Sequence, residues 1–218
     1  MKVKICGIRD LDELKICISY ADAVGFVTEY PIEVPWNLSR DEAKELIART
    51  PPFIFTVVVT TGSVEKIVGI AKHTKANAIQ LHGSESLKEV KRIRDELEGV
   101  KLIKALPVDA EADGPRILGQ AMPYAEVVDA ILLDSKTDEM PAGTGKTFNW
   151  EIAREIRERI EKIGKPLILA GGLNSENVER AIQTVRPYAV DVISGVETNG
   201  RKDERKVREF VRAAKHML

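Results

Sequence analysis

Apolar positions along this chain fall into two alternating patterns. Eight short runs are apolar almost throughout: VKIC (3–6), DAVGFV (22–27), FIFTVVV (53–59), AIQL (78–81), KLIKAL (101–106), AILLD (130–134), PLILA (166–170) and VDVIS (190–194). Runs of this kind, rich in Val, Ile and Leu and without polar alternation, predict strands covered on both faces. Longer charged segments lie between them, with apolar residues recurring at helical spacing: DLDELKICISY, SRDEAKELIART, SVEKIVGIAKHT, SESLKEVKRIRDELEG, NWEIAREIRERIEKIG, NSENVERAIQTV and DERKVREFVRAAKHM. Asp10 is a good N-cap for the first helix. Ser39, followed by acidic residues, suits the start of the second. A third N-cap is expected near Asn174 or Ser175. Gly99 and Gly164 stand where helix-ending glycines belong. Gly114, Pro115 and Gly119 interrupt the segment 110–122 and leave its helical pattern the weakest.

Eight strand-like runs, each followed by a helix or its remnant, predict an α/β chain with a parallel sheet. Eight such units in about 200–250 residues fit a single (β/α)₈ TIM barrel over residues 1–218. The competing arrangement is an open doubly wound sheet. That fold often opens with GxGxxG after its first strand, where this chain has CGIRD.

Composition narrows the picture further. The 218 residues carry 33 basic and 34 acidic side chains, a formal net charge of -1. Nothing in that balance argues for nucleic acid or a membrane surface. No apolar run is long enough to span a bilayer. The start runs straight into VKICG without the apolar region of a signal peptide, so a cytoplasmic location is expected. Three scattered histidines, His73, His82 and His216, have no metal-ligand spacing, so no metal is expected. Cys6 and Cys17 are expected to stay reduced.

In a (β/α)₈ barrel the active site lies at the C-terminal ends of the strands. Reading those ends in order gives Cys6, Gln80 with His82, Lys104, Asp134, Gly171-Gly172 and Ser194-Gly195. A free cysteine is most often a small buried hydrophobe. At a barrel mouth its thiol can also exchange a proton near neutrality or attack as a nucleophile. Cys17 falls mid-helix on an apolar pattern and reads as core. Asp134 follows three apolar residues, a costly place for a carboxylate without polar company. It reads as a loop cap, a lysine partner, or a general acid whose pKa burial has raised. The connection 135–148 contains MPAGTGKTF. A P-loop would need glycine at 140, where this chain has Met140, so the segment reads as a lid over the mouth. The two glycine-containing turns after strands 7 and 8 let backbone approach a ligand closely, and barrels commonly bind phosphate there.

The stretches KICGI (4–8), ADAVGFV (21–27), IQLHG (79–83), LLDSK (132–136), GTGKTFNW (143–150), AGGLNSENV (170–178) and VDVISGVE (190–197) run in order along the whole chain. Together they resemble the phosphoribosylanthranilate isomerase family of tryptophan biosynthesis. The resemblance implies a ribulose-phosphate-binding type of barrel and an Amadori rearrangement without cofactor or metal. In it, N-(5-phosphoribosyl)anthranilate becomes 1-(2-carboxyphenylamino)-1-deoxyribulose 5-phosphate. By motif, Cys6 is then the base that takes the C2′ proton, and Asp134 the acid that protonates the ring oxygen. Gly171, Gly172, Ser194 and Gly195 hold the phosphate, and His82 and Asp191 help to line the pocket. The implied partner is a phosphorylated sugar–anthranilate, with the chain working as a monomer or homodimer. One departure stands out. The family's loop after GFV has the form SxRxxS, with an arginine for the anthranilate carboxylate. Here it is TEYPIEVPWNLSRDEA. Arg40 is the nearest substitute but reads as the helix start, and Trp36 is placed either to stack on the aromatic ring or to cover the barrel edge.

Two other functions compete. Lys104 at the end of strand 5 could form a Schiff base, as in aldolases, or simply pair with Asp134 or another interior acid. A catalytically silent barrel would keep the glycine turns and need no acid–base pair.

Overall fold

A computed structural model describes residues 1–109, 113–135 and 148–216. Strand and helix alternate: β1 (Lys2–Ile5), α1 (Leu11–Ile18), β2 (Ala23–Val27), α2 (Arg40–Ala48), β3 (Phe55–Thr60), α3 (Val64–Thr74), β4 (Ala78–Leu81) and α4 (Leu87–Glu96). The second half repeats the scheme with β5 (Lys101–Val108), α5 (Gly114–Ala125), β6 (Ala130–Ser135), α6 (Trp150–Glu161), β7 (Leu167–Leu169), α7 (Val178–Val185) and β8 (Ala189–Val192). A short hairpin, β9 (Glu197–Thr198) and β10 (Arg201–Lys202), precedes α8 (Glu204–Lys215). β1 to β8 pair in order, all parallel, and β8 closes on β1 with Lys4 opposite Asp191. This is the (β/α)₈ barrel that the alternation predicts, and closure rules out the open sheet.

Strand parity creates two cores. Val3, Ile5, Val24, Phe26, Val58, Ile79, Leu81, Leu102, Ile131, Leu133, Val190 and Val192 face the helices in one continuous cluster. The alternate positions Val57, Ala78, Ile103, Ala105, Ala130, Leu132, Ile168, Ala170 and Ala189 fill the barrel. Because side chains alternate along a strand, this parity also decides which polar residues reach the interior. Lys4 and Cys6 share the inward face of β1, Gln80 that of β4, Asp134 that of β6 and Asp191 that of β8.

Parity removes Lys104 from the mouth. β5 extends to Val108, so Lys104 is mid-strand and shares the helix-facing side with Leu102 and Leu106. Its Nζ pairs with Glu85 Oε2 at 2.8 Å, donates to the Gly83 carbonyl at 2.6 Å and lies 5.7 Å from the centre of the Tyr124 ring. It is the partner of an interior acid, and that acid is Glu85 rather than Asp134.

Local signals set most element boundaries. The Asp10 side chain accepts from the Asp12 and Glu13 amides, and Ser39 and Glu42 form a reciprocal capping box. Cys17 is core, as expected. The weak segment resolves into α5, which Asp113 caps; Pro115 sits in the first turn, where its missing N–H costs nothing. Some details differ from the simple pattern. β3 begins at Phe55 rather than at 53, because Pro51 and Pro52 open a turn that the Ile54 amide closes onto the Pro51 carbonyl, leaving Phe53 exposed. α7 itself begins at Val178, one turn beyond Asn174, which caps that leading turn as expected: its Oδ1 accepts from the Glu176 and Asn177 amides, and its carbonyl accepts from the Val178 amide. The β9–β10 hairpin was not expected; Asn199 and Gly200 both have positive φ, the signature of a two-residue Asn-Gly turn. The expected lid, 135–148, lies outside the described residues except at its ends, Ser135 and Phe148. Among the described residues no helix is long and apolar enough to cross a membrane.

Candidate active site

The C-terminal ends of the strands surround a half-open cavity. Cys6, Trp36, Gln80, His82, Asp134, Asp191, Gly171, Gly172, Ser194 and Gly195 all line it, with Tyr30, Val27, Val34, Val59 and Ile193 among the apolar walls. Nine of the ten residues expected at the site therefore meet in one space. Arg40 is the exception.

Cys6 follows directly on β1, and its amide donates to the Val192 carbonyl at 2.9 Å, which fixes its backbone at the barrel rim. Gly7 then ends the strand with φ +76°, and a Cβ there would stand 2.9 Å from the Trp36 ring. Only glycine combines that backbone turn with that contact. Cys6 is 1 % exposed, packed against Val27, Trp36 and Val59. Burial pushes its thiol above the ordinary range, while Lys4 pulls the other way. Cys17, in the outer core, is pushed up to about 12 by burial.

Asp134 lies at the end of β6 and is buried. Burial, reinforced by the charge of Asp191, pushes its carboxyl up to about 7, with Lys4 opposing. The group is therefore near half protonated at neutral pH, the condition a general acid needs. His82 Nε2 lies 3.6 Å from Asp134 Oδ2. Burial, aided by Lys104 and Lys4, lowers the His82 pKa to about 4, so the imidazole is neutral. Gln80 Nε2 lies 3.1 Å from His82 Nδ1. An amide nitrogen only donates, so Nδ1 accepts and the ring proton sits on Nε2, facing Asp134. Tyr30 completes this wall by donating its hydroxyl to the His82 carbonyl at 2.6 Å.

The opposite side of the cavity is backbone. Gly171 has φ +89°, and a Cβ there would stand 2.3 Å from the Ser135 amide nitrogen; at Gly195 it would stand 1.9 Å from the Leu173 carbonyl. The two turns are thus packed against each other and against the end of β6 with no room for side chains. Asn177 pins the first by donating to the Gly172 carbonyl at 2.9 Å. Close-packed glycine turns that bare their backbone suit an anion.

Trp36 lines the cavity as an apolar wall, while its Nε1–H donates to Glu197 Oε1 at 2.9 Å. Glu197 in turn takes Lys202 Nζ at 2.7 Å, so the unexpected hairpin anchors the indole. Arg40 is elsewhere. It opens α2, and its guanidinium grips Glu29 through two bonds of 2.7 and 2.9 Å. Among the described residues lining the cavity none is Lys or Arg. Sequence reasoning missed Tyr30, which had no motif around it. It also missed Lys4, whose inward direction follows from its being two residues before Cys6. No group of three or more potential metal ligands occurs among the described residues.

A site with a carboxyl that titrates near neutrality, a buried thiol and a backbone anion cradle suits proton transfer on a phosphorylated substrate. Comparison with known proteins gives the same direction. The family model described as N-(5'-phosphoribosyl)anthranilate (PRA) isomerase matches residues 3–213. An N-(5'-phosphoribosyl)anthranilate isomerase of Methanocaldococcus jannaschii is 41% identical over 223 residues, covering 99% of this chain and 97% of the relative. The crystal structure of phosphoribosyl anthranilate isomerase from Thermotoga maritima superposes with a TM-score of 0.85 at 40% identity, covering 100% of both chains. A phosphoribosyl anthranilate isomerase in complex with reduced 1-(o-carboxyphenylamino)-1-deoxyribulose 5-phosphate superposes with a TM-score of 0.82 at 36% identity, again over 100% of both chains.

Proposed function

Because the chain belongs to the N-(5'-phosphoribosyl)anthranilate isomerase family, we propose that Cys6 and Asp134 carry the proton transfers of its Amadori rearrangement. The enzyme is an aldose–ketose isomerase of tryptophan biosynthesis. The substrate phosphate docks on the turns at Gly171-Gly172 and Ser194-Gly195. Asp134, protonated, gives its proton to the furanose ring oxygen; the C1′–O bond breaks and the ring opens to an iminium. Cys6, as thiolate, takes the proton from C2′, and the electron pair moves to form the enolamine. Protonation at C1′ and loss of the enol proton give the 2-ketose. The net change is the transfer of hydrogen from C2′ to C1′, with no external oxidant. Neutral His82 turns its Nε2–H toward Asp134 without a direct hydrogen bond at 3.6 Å, and Trp36 and Tyr30 supply apolar cover for the anthranilate ring. Asp191 faces the sugar. Arg40, held by Glu29, has no part in this scheme. The chain acts in the cytoplasm as a monomer or homodimer, with residues 1–218 forming one domain.

The observation that supports this reading is the carboxyl of Asp134. It lines the same cavity as the Cys6 thiol and the glycine turns, and burial brings it to about 7. Phosphoribosylanthranilate made in situ is the test. Added protein should quench its fluorescence far faster than spontaneous decay, with the carboxyphenylamino ketose as the sole product by mass spectrometry and NMR. Loss of fluorescence with free anthranilate as the only product would mean hydrolysis and would sink the assignment.

A further inference from the structure

The interior holds a buried ion pair that the chemistry above does not use. Lys4 projects into the barrel from β1, two residues before Cys6 and on the same face, and is only 4 % exposed. Its Nζ donates to Asp191 Oδ2 at 2.8 Å, from the directly paired position of β8. Desolvation of two charges offsets most of their attraction, so a buried pair is poor evidence for a purely stabilising role. Apolar residues would fill the same space as well.

Gly25 points to another reason. A Cβ on this β2 residue would stand 2.5 Å from Cys6 Sγ and 3.0 Å from Lys4 Nζ. Sulfur and ammonium therefore crowd one point, and the missing side chain at 25 is what lets them meet. An ammonium has three N–H donors, and Asp191 Oδ2 takes one of them.

The strongest charges on the Cys6 sulfur come from Lys4, Asp191 and Lys202. Lys4, on the same strand, favours the thiolate. Asp191, from β8, opposes it. Lys202, from β10, favours it but is committed to Glu197 Oε1 at 2.7 Å and the Ile193 carbonyl at 3.2 Å. Burial works against the charge of Lys4, yet Asp191 and Cys6 together lift its pKa above the ordinary value, so the ammonium persists.

We propose that Lys4 is a positioning residue, anchored by Asp191, whose ammonium stabilises the thiolate of Cys6 and so makes that buried sulfur an effective proton acceptor. The inference rests on Cys6 being the base. Gly25 belongs to the same device as the space in which the two groups meet. In the step itself the proton passes from C2′ to Sγ, and Lys4 keeps all its protons throughout.

The test is the pH dependence of alkylation at Cys6 by iodoacetamide, read by mass spectrometry of the Cys6 peptide, in parallel with kcat and KM. Lys4→Gln should raise the alkylation midpoint by about one pH unit or more, a tenfold loss of thiolate at neutral pH. It should lower kcat by at least about tenfold with KM changed less than about threefold, and Lys4→Arg should restore part of both. Lys4→Gln strands Asp191, so Lys4→Gln/Asp191→Asn, which leaves no lone charge, guards against misfolding. Its midpoint should move the same way by less, because the opposing charge of Asp191 is gone too. Folded variants whose midpoint stays put or falls overturn the proposal. The role of Cys6 fails separately: if Cys6→Ser keeps the parent turnover, the base assignment is wrong whatever the alkylation midpoint does.

Discussion

Replacing Asp134 with Asn should remove activity and make the protein more stable. The native carboxyl titrates at about 7 because of burial and the neighbouring Asp191, whereas in the unfolded chain it titrates near 3.9. Below about pH 4 both states hold the proton, and the group is neutral in its effect. As pH rises from about 4 to 7 the unfolded chain releases its proton first, so the native state loses stability through that window. Above 7 the loss is complete. At about 1.4 kcal/mol for each tenfold step in acidity, the full penalty is on the order of 4 kcal/mol. Asn is nearly isosteric and carries no charge, so Asp134→Asn should regain much of that at pH 8 and almost none at pH 4. For a chain of this size about 1 kcal/mol moves Tm by roughly 2–4 °C. Thermal unfolding by circular dichroism at pH 4, 6 and 8 should therefore show a difference from the parent that grows with pH, to roughly 5 °C or more. A variant no more stable than the parent at pH 8, or one whose advantage is the same at pH 4, would refute the idea that burial strains this carboxylate.

Activity requires Asp134 protonated and Cys6 ionised, and the acid titrates below the base. So kcat/KM should rise up to about pH 7, stay level, and fall only above the raised Cys6 pKa; an optimum below pH 6 would contradict that order. Gly171→Ala would bring a Cβ within 2.3 Å of the Ser135 amide nitrogen. It should raise KM for the phosphorylated substrate at least about tenfold in a protein that still folds by circular dichroism, and an unchanged KM would move the phosphate elsewhere. Arg40→Ala loses only a half-exposed pair with Glu29, worth under about 1 kcal/mol. Its kcat/KM should stay within about threefold of the parent, and a tenfold loss would restore Arg40 as a carboxylate ligand.

Much of the architecture was legible because it depends on local pattern. Unbroken apolar runs marked the strands, and Asp10 and Ser39 marked helix starts by side-chain chemistry that acts over three or four residues. Cys6, Asp134 and the two glycine turns were legible as mouth residues because a barrel puts every strand end on one face. Lys104 shows where this stops. Its place near a strand end suggested the mouth, but two further residues of β5 and the parity of the strand turn it toward the helices. Gly25 sits inside an apolar run with nothing local to distinguish it, and only the closed barrel reveals the sulfur and ammonium that need its space. Lys4 and Asp191 are 187 residues apart in the chain, and no local pattern connects them. The same holds for Glu29 and Arg40, whose pairing takes Arg40 out of the site.

The central claim is that Cys6 and Asp134 perform the proton transfers. The most direct measurement is steady-state turnover of phosphoribosylanthranilate by Cys6→Ser and Asp134→Asn beside the parent, with the fold of each confirmed. Both should lose roughly 10²- to 10⁴-fold in kcat while KM changes only a few-fold, because the phosphate turns are untouched. Turnover at the parent rate by either variant would contradict the account.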